Sequence, residues 1–166
     1  NEVLRPLGMD ESVLYQRGLN EVPHRAYGHE RKNGEWVRAD QSLTSAIRGD
    51  GAIYTSLRDY RKWLIGIDEQ KLLKPASYQA MFTRHVLTDR NGAYYGYGWF
   101  LDEYRGQPRV YHNGDTRGFR LCVQRFPKRK AAVLIQINNN LDGDTDQLTK
   151  LGERLAQILV FERPAD

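Results

Sequence analysis

The 166-residue chain contains a single cysteine and no long apolar run, which exclude an internal disulfide and a membrane-spanning helix of ordinary length. Cys122 has no partner within the chain, so an internal disulfide is excluded and the redox compartment stays open. Because Cys122 sits on an alternating run of residues, we interpret it as a buried thiol and leave any further role open. No stretch approaches the roughly 20 apolar residues of a membrane-spanning helix, and no signal peptide is recognised.

Signatures of several enzyme classes are missing as well. The chain has no Gly-x-Ser-x-Gly nucleophile elbow, no phosphate-binding loop and no dinucleotide fingerprint. Its four histidines include no pair at zinc-peptidase spacing. The sequence therefore predicts neither a bound metal nor a cofactor.

One acidic stretch has the outline of a calcium loop. Asp142, Asp144 and Asp146 match its first three ligand positions, and Glu153 matches the twelfth. The sixth position, however, is Gln147, where the sharp turn needs glycine. Acidic residues ahead of a helix are ordinary N-terminal caps, and this is our interpretation of the stretch.

Length and composition are those of one folded domain, with 40% apolar and 28% charged residues. The formal net charge is +4, but basic residues are spread along the chain beside acidic ones. The one basic cluster, Pro127–Lys130, is typical of a turn between strands. The sequence therefore predicts no nucleic-acid partner.

Residues 1–90 read as helices and connecting loops. Asn33-Gly34 joins two short polar runs and predicts a hairpin. Apolar residues at helical spacing, with Ser56 and Asp59 as a capping pair, predict a helix within 54–67. Pro75 suits a first helical position and predicts a second, shorter helix.

Residues 94–166 change to a strand-like period followed by a helix. Four runs between Tyr95 and Asn138 are separated by short linkers, which predicts antiparallel neighbours. The last run, over 131–138, is almost entirely apolar and predicts a central strand. The aromatic residues that open this region are interpreted mostly as packing, with one of them left open as a residue that lines a substrate cleft: Tyr94, Tyr95, Tyr97 and Trp99.

An amphipathic helix is predicted to close the chain and cover one face of the sheet, through Leu148, Leu151, Leu155 and Ile158. The order of elements predicts an α+β fold in a single domain over 1–166. Its antiparallel sheet would have three or more strands packed by the C-terminal helix.

The run VYHNGDTRGF, residues 110–119, places His112, Asn113 and Gly114 on a predicted strand. In one interpretation the strand ends or bulges there, because Asn-Gly followed by Asp is turn chemistry. In the other, a residue without a side chain lets a ligand lie against the strand backbone. The isolated motif favours the turn, whereas its context along the chain favours a site.

That context consists of PLGMDES, GAIYTSLRDYRKWL, and YGYGWF with VYHNGDTRGF and FPKRKAAVLIQINNN. In this order the segments resemble the serine β-lactamase-like and penicillin-binding-protein-like hydrolases, which include class C β-lactamases, D-alanyl-D-alanine peptidases and esterases. The resemblance runs over essentially the whole chain but covers only the C-terminal half of such a domain. It implies part of a β-lactamase/transpeptidase-like fold.

The resemblance also implies roles around the motif. His112 stands where the family's third motif has Lys or His, and would supply a donor or a positive charge beside the nucleophile. Because histidine has an ordinary pKa of about 6.5, that role would depend on pH. Gly114 would let the substrate backbone approach, and the N–H of Asp115 would donate to the oxyanion, although its acidic side chain disfavours an anionic substrate. The residues implied to contact substrate are Asn113, Thr116 and Gly118.

The family's nucleophile lies in a Ser-x-x-Lys motif, followed by a Tyr-x-Asn motif, and both lie upstream of the part matched here. No serine of this chain is followed by lysine three residues later. We therefore expect the chain to need the missing N-terminal half of its domain, to be inactive alone and to leave a sheet edge unpaired. The full-length protein would act on an amide or ester bond, in a β-lactam, a peptidoglycan peptide or a small ester, through an acyl-serine intermediate.

Two other functions stay open. A non-catalytic binding or regulatory relative would keep the fold and the cleft without the nucleophile. A basic protein that binds anionic polymers would show an affinity that falls steeply with salt. Composition indicates no compartment, whereas the resemblance favours the periplasm or the outside of the cell.

Overall fold

The computed structural model describes residues 2–40, 42, 47–49, 51–89, 92–140 and 146–162. The chain forms two compact units, which are described in turn. The first comprises residues 1–72, 115–120 and 136–143, and the second residues 73–114, 121–135 and 144–166. Asp142 and Asp144, interpreted above as helix caps, lie outside the described residues.

The described residues form first the strands β1 (Val13–Leu14), β2 (His29–Lys32), β3 (Glu35–Arg38) and β4 (Ile53–Tyr54). They are followed by helices α1 (Leu57–Asp68) and α2 (Pro75–Met81). Then come the strands β5 (Val86–Leu87), β6 (Tyr94–Tyr95), β7 (Phe100–Tyr104), β8 (Gln107–Thr116), β9 (Phe119–Phe126) and β10 (Ala131–Ile137). Helix α3 (Asp146–Ala156) continues as a π-helical turn over Gln157–Phe161. None of these helices is long and apolar enough to cross a membrane.

In the first unit, helix α1 begins where predicted, because the Ser56 Oγ accepts a hydrogen bond from the Asp59 N–H at 3.1 Å. Asp59 is fully buried, and its carboxylate accepts hydrogen bonds from the Glu11 N–H and the Ser12 hydroxyl. Lys62 Nζ lies 2.8 Å from the same carboxylate. Burial alone would raise the pKa of Asp59, but its hydrogen bonds hold that pKa below its usual value. The Asp59 carboxylate therefore links the segment at Glu11 and Ser12 to α1 by hydrogen bonds.

The first unit also contains the predicted hairpin. Strands β2 and β3 pair antiparallel, and the turn residues Asn33 and Gly34 both have positive φ, at 51° and 87°. Positive φ at both central residues is what a type I′ turn requires, and Asn-Gly is its preferred sequence. The hairpin prediction is confirmed.

The main sheet has the strand order β10-β9-β8-β7-β6-β5, and the consecutive pairs from β5 to β8 are antiparallel. The antiparallel sheet of the predicted α+β fold is confirmed. Strand β10 stands at one end of this order among the described residues, and its place as a central strand of the whole sheet stays a prediction. Part of its apolar run packs in a cluster, where Val133 and Ile135 lie with Phe126 and Ala156.

Strand β8 is longer than predicted, since it continues past Asn113 to Thr116. The turn consists of Arg117 and Gly118, and Gly118 has a φ of +78°. Gly114 is not among the positive-φ glycines, and the Asn113 amide bonds to a distant residue rather than to nearby backbone. The interpretation of Asn113-Gly114 as the end of the strand is therefore wrong.

Helix α3 is confirmed in the second unit, and its predicted face is correct in part: Leu148 is buried and Leu155 packs against the Phe126 cluster. Leu151 and Ile158 are 44% and 55% exposed. The buried residues of α3 are Leu148, Thr149, Gly152 and Ala156. A Cβ built on Gly152 would lie only 2.7 Å from Nε2 of Gln124, so glycine allows the close approach of helix and strand. Besides these apolar residues, Thr149 and Glu153 make polar contacts with the sheet, which the spacing of apolar residues does not reveal.

Candidate active site

His112 lies on β8 within a cluster of aromatic rings contributed by three strands. Its imidazole stacks on Phe100, with ring centroids 5.6 Å apart and an interplanar angle of 30°. Nε2 of His112 lies 3.1 Å from the hydroxyl oxygen of Tyr95. The Tyr95 ring in turn packs edge-on against Phe100 at 4.7 Å. The imidazole is therefore held by a ring contact and a hydrogen bond.

The next residue, Asn113, turns its amide toward helix α3. Its Nδ2 donates a hydrogen bond to Oγ1 of Thr149 at 2.7 Å. Thr149 is buried, and its own carbonyl accepts a hydrogen bond from Nε2 of Gln124 at 3.0 Å. The described contact of Asn113 is thus with the protein itself, and its implied contact with substrate stays a prediction.

Gly114 follows in the same strand, and neither the packing around it nor its backbone conformation requires glycine. Within the described part of the chain, a Cβ built there would meet only Leu121 Cβ, at 3.5 Å, an ordinary van der Waals distance. Its φ also lies outside the left-handed region that favours glycine. Packing and backbone conformation would both admit alanine. Of the two interpretations of this glycine, the approach of a ligand from outside the strand fits these observations.

In the first unit, Asp115 and Thr116 end strand β8. Oδ2 of Asp115 lies 3.4 Å from Nη2 of Arg120, whose side chain is 11% exposed. The guanidinium partly offsets the negative charge that led us to disfavour an anionic substrate. The roles of the Asp115 N–H and of Thr116 stay predictions.

At Gly118, in contrast, the backbone conformation and the packing both require glycine. Its N–H donates to Oδ1 of Asn140 at 2.9 Å, and its φ is +78°. A Cβ on Gly118 would overlap the carbonyl oxygen of Ala39 and lie 2.8 Å from Cα of Gly28. Close backbone packing thus explains this glycine, and its implied contact with substrate stays a prediction.

A buried ionic network joins β8 to its neighbours in the second unit. Arg109 donates to both carboxylate oxygens of Asp102, at 2.8 and 2.6 Å, and to Glu153 of α3 at 2.7 Å. Burial alone would lower the pKa of Arg109, but the hydrogen bonds to Asp102 and Glu153 raise it above its usual value. The guanidinium is therefore a permanent charge that connects strands β7 and β8 with α3.

Cys122 is fully buried on β9, as predicted. Burial raises the pKa of its thiol, so the reactive thiolate is disfavoured. Among the described residues, no group of three or more histidine, cysteine or acidic side chains could hold a metal ion.

Sequence reasoning did not identify two contacts of the motif, those with Tyr95 and Thr149. Tyr95 was one of four aromatic residues interpreted mostly as packing, and its contact with His112 was not predicted because it forms across the intervening strand β7. Thr149 lies 36 residues from Asn113, on a helix whose predicted face consisted of leucines and isoleucine. No local pattern marks either contact, since both depend on the arrangement of distant elements.

Comparison with known proteins identifies the family of the chain. The model of the Beta-lactamase family matches residues 1–157. The chain is similar to penicillin-binding protein 4* of Bacillus subtilis (strain 168), with 24% identity over 180 residues. The match covers 99% of this chain and 40% of that protein, so the chain spans about two-fifths of its relative's length.

Two solved structures show the same fold. The octameric penicillin-binding protein homologue from Pyrococcus abyssi matches 95% of this chain and 36% of its own, with a TM-score of 0.80 and 22% identity. The D-amino acid amidase from Ochrobactrum anthropi SV3 matches 95% of this chain and 52% of its own, with a TM-score of 0.72 and 17% identity. Because the family match extends over nearly the whole chain, the chain belongs to the beta-lactamase family.

Proposed function

We propose that this chain is the C-terminal part of a serine hydrolase that cleaves an amide or ester bond through an acyl-serine intermediate. Family membership and the coverage of only 40% of a penicillin-binding protein support this proposal. The nucleophilic serine and its lysine would come from sequence that precedes this chain in the full-length protein. Without that part, the chain by itself is expected to be inactive.

The observation that carries the proposal is the surface of strand β8 at residues 112–114. An imidazole held by Tyr95 stands beside Gly114, where alanine would fit, so the strand surface is open at a position that packing does not explain. The absence of a side chain lets an extended substrate come close to the strand backbone. A histidine beside it can donate a hydrogen bond to the reacting groups.

The chemistry assigns a role to each part. The serine hydroxyl attacks the carbonyl carbon while its proton passes to a base, and the bond to the leaving amine or alcohol breaks as that group takes a proton. Water then hydrolyses the acyl-serine ester. The Asp115 N–H would stabilise the oxyanion in both steps, and His112 would donate to the nucleophile or to the substrate carboxylate.

Candidate substrates are β-lactams, peptidoglycan peptides and small esters. The likeness to a D-amino acid amidase supports an amide substrate. Arg120 beside Asp115 makes a substrate carboxylate easier to accommodate near the end of β8 than Asp115 alone would.

The test is covalent labelling of the full-length protein with a fluorophosphonate, followed by intact mass measurement. We expect one added phosphonyl group on serine, and none on the 166-residue chain alone. His112→Ala should lower the labelling rate about 100-fold, as loss of a group that assists proton transfer does. His85→Ala is the matched control, because His85 is exposed, and it should label at the original rate.

The alternative is a non-catalytic relative that binds a ligand in the same cleft. A folded full-length protein that takes up no label would remove the hydrolase proposal and favour this alternative. A second variant, Gly114→Ala, tests the strand surface, since a methyl group there should obstruct a substrate while packing admits the Cβ at 3.5 Å from Leu121 Cβ. Normal labelling and turnover by a folded Gly114→Ala protein would contradict the role of β8.

A further inference from the structure

The hydroxyl of Tyr95 engages one of the two ring nitrogens of His112. Its oxygen lies 3.1 Å from Nε2, which is hydrogen-bond distance. Tyr95 lies on β6 and His112 on β8, and Phe100 of the intervening strand packs against both rings, at 4.7 and 5.6 Å. The ring plane and one nitrogen of the imidazole are therefore set by two neighbouring strands.

The chemistry of the two groups gives the hydrogen bond its direction. A phenol, with an ordinary pKa of about 10, is a stronger donor than the N–H of a neutral imidazole. The unprotonated imidazole nitrogen is in turn a stronger acceptor than a phenol oxygen. When the imidazole is neutral, the tyrosine hydroxyl therefore donates and Nε2 accepts. An accepting Nε2 carries no proton, so the ring proton remains on Nδ1.

We propose that Tyr95 is a positioning residue that holds neutral His112 as its Nδ1–H tautomer. When the imidazole is charged, both nitrogens carry protons, and the Tyr95 hydroxyl rotates so that its oxygen accepts from Nε2. Nδ1 thus carries a proton in both states. The consequence rests on the proposed function: His112 donates at Nδ1 when neutral, as an ammonium group would, and does not need its positive charge to do so.

The test is the tautomer itself, measured on the chain labelled with ¹⁵N-histidine. Long-range ¹H–¹⁵N correlation, recorded well above the titration range of histidine, distinguishes a protonated ring nitrogen from an unprotonated one. We expect Nδ1 of His112 to be protonated and Nε2 unprotonated. The His112 signals are assigned by their loss in His112→Ala.

Tyr95→Phe removes the hydroxyl and keeps the ring that packs on Phe100. In this variant the ring proton should shift toward Nε2, which an unconstrained histidine in water favours. Tyr97→Phe is the matched control, because Tyr97 stacks on His85 at 4.9 Å, and it should leave the His112 signals unchanged. A purely structural role for Tyr95 would not reverse the tautomer.

Two results would overturn the proposal. One is a protonated Nε2 in the neutral wild-type ring, which is decisive even if Tyr95→Phe does not fold. The other is an unchanged tautomer in a folded Tyr95→Phe chain. Neither depends on activity, so a full-length protein that fails to label would remove the proposed function while the tautomer is judged separately.

Discussion

The side-chain amide of Asn113 donates a hydrogen bond to the hydroxyl of Thr149 at 2.7 Å, so the residue between His112 and Gly114 is bound to helix α3. Thr149→Val removes the acceptor at nearly constant volume and leaves the Asn113 amide without that partner. We expect the free energy of unfolding to fall by about 1–3 kcal/mol, measured by urea denaturation. Thr83→Val, at an exposed threonine, should change it by less than about 0.5 kcal/mol. Equal effects of the two variants would mean that the hydrogen bond contributes nothing.

Gly118→Ala is expected to be the most damaging small substitution near the motif. The new Cβ would overlap the Ala39 carbonyl at a residue whose φ is +78°, so strain and steric overlap add. We expect a loss of about 3 kcal/mol or more in the free energy of unfolding. Gly106→Ala, with a φ of +69° and open space around it, isolates the strain and should cost about 1 kcal/mol. Similar losses in both variants would contradict the close backbone packing.

Arg109→Lys tests the buried ionic network. Lysine keeps the charge but cannot bond both oxygens of Asp102 and also reach Glu153, so the free energy of unfolding should fall by about 2 kcal/mol. Arg105→Lys, at an exposed arginine in the β7–β8 turn, should have an effect below about 0.5 kcal/mol. If Arg109→Lys is as stable as Arg105→Lys, the simultaneous hydrogen bonds of the Arg109 guanidinium to Asp102 and Glu153 do not matter for stability. Thermal and urea denaturation measure the stability of the two variants.

Asp59 should make part of the stability depend on pH. Its pKa is lower in the folded chain than the ordinary 3.8, so the ionised carboxylate stabilises the fold above that value. The contribution is lost as pH falls through the lower, folded pKa. Asp59→Asn removes this contribution at neutral pH, and we expect a loss of about 2 kcal/mol there and a shallower fall in stability below pH 3.8. Parallel stability curves for wild type and Asp59→Asn across acidic pH would exclude Asp59 as the source.

Local chemistry made much of the fold predictable. The Asn33-Gly34 turn, the Ser56 cap and the start of α2 at Pro75 each depend on residues a few positions apart, and all three are observed. The short linkers between strands likewise predicted antiparallel neighbours. These features require no knowledge of distant residues.

The errors occurred where distant contacts decide the structure. The Asn113-Gly114 pair has turn chemistry, but strand β8 continues through it to Thr116, and the Asn113 amide bonds the distant Thr149. The buried side of α3 includes Thr149 and Gly152, which carry no apolar signal, beside the predicted Leu148. The proposed role of His112 comes from resemblance, whereas its contact with Tyr95 depends on the sheet order.

The polar contacts between the main sheet and α3 also have a consequence for folding during synthesis. Arg109, Asn113 and Gln124 find partners on α3, through Glu153 and Thr149, which are synthesised after every strand of the main sheet. Until that helix emerges from the ribosome, Arg109 can already bond Asp102, but the hydrogen bonds of Arg109 to Glu153 and of Asn113 and Gln124 to Thr149 cannot form. Helix α3 therefore completes the hydrogen bonding of these side chains last, and a ribosome that stalls before residue 149 would leave Asn113 and Gln124 without Thr149 as a partner.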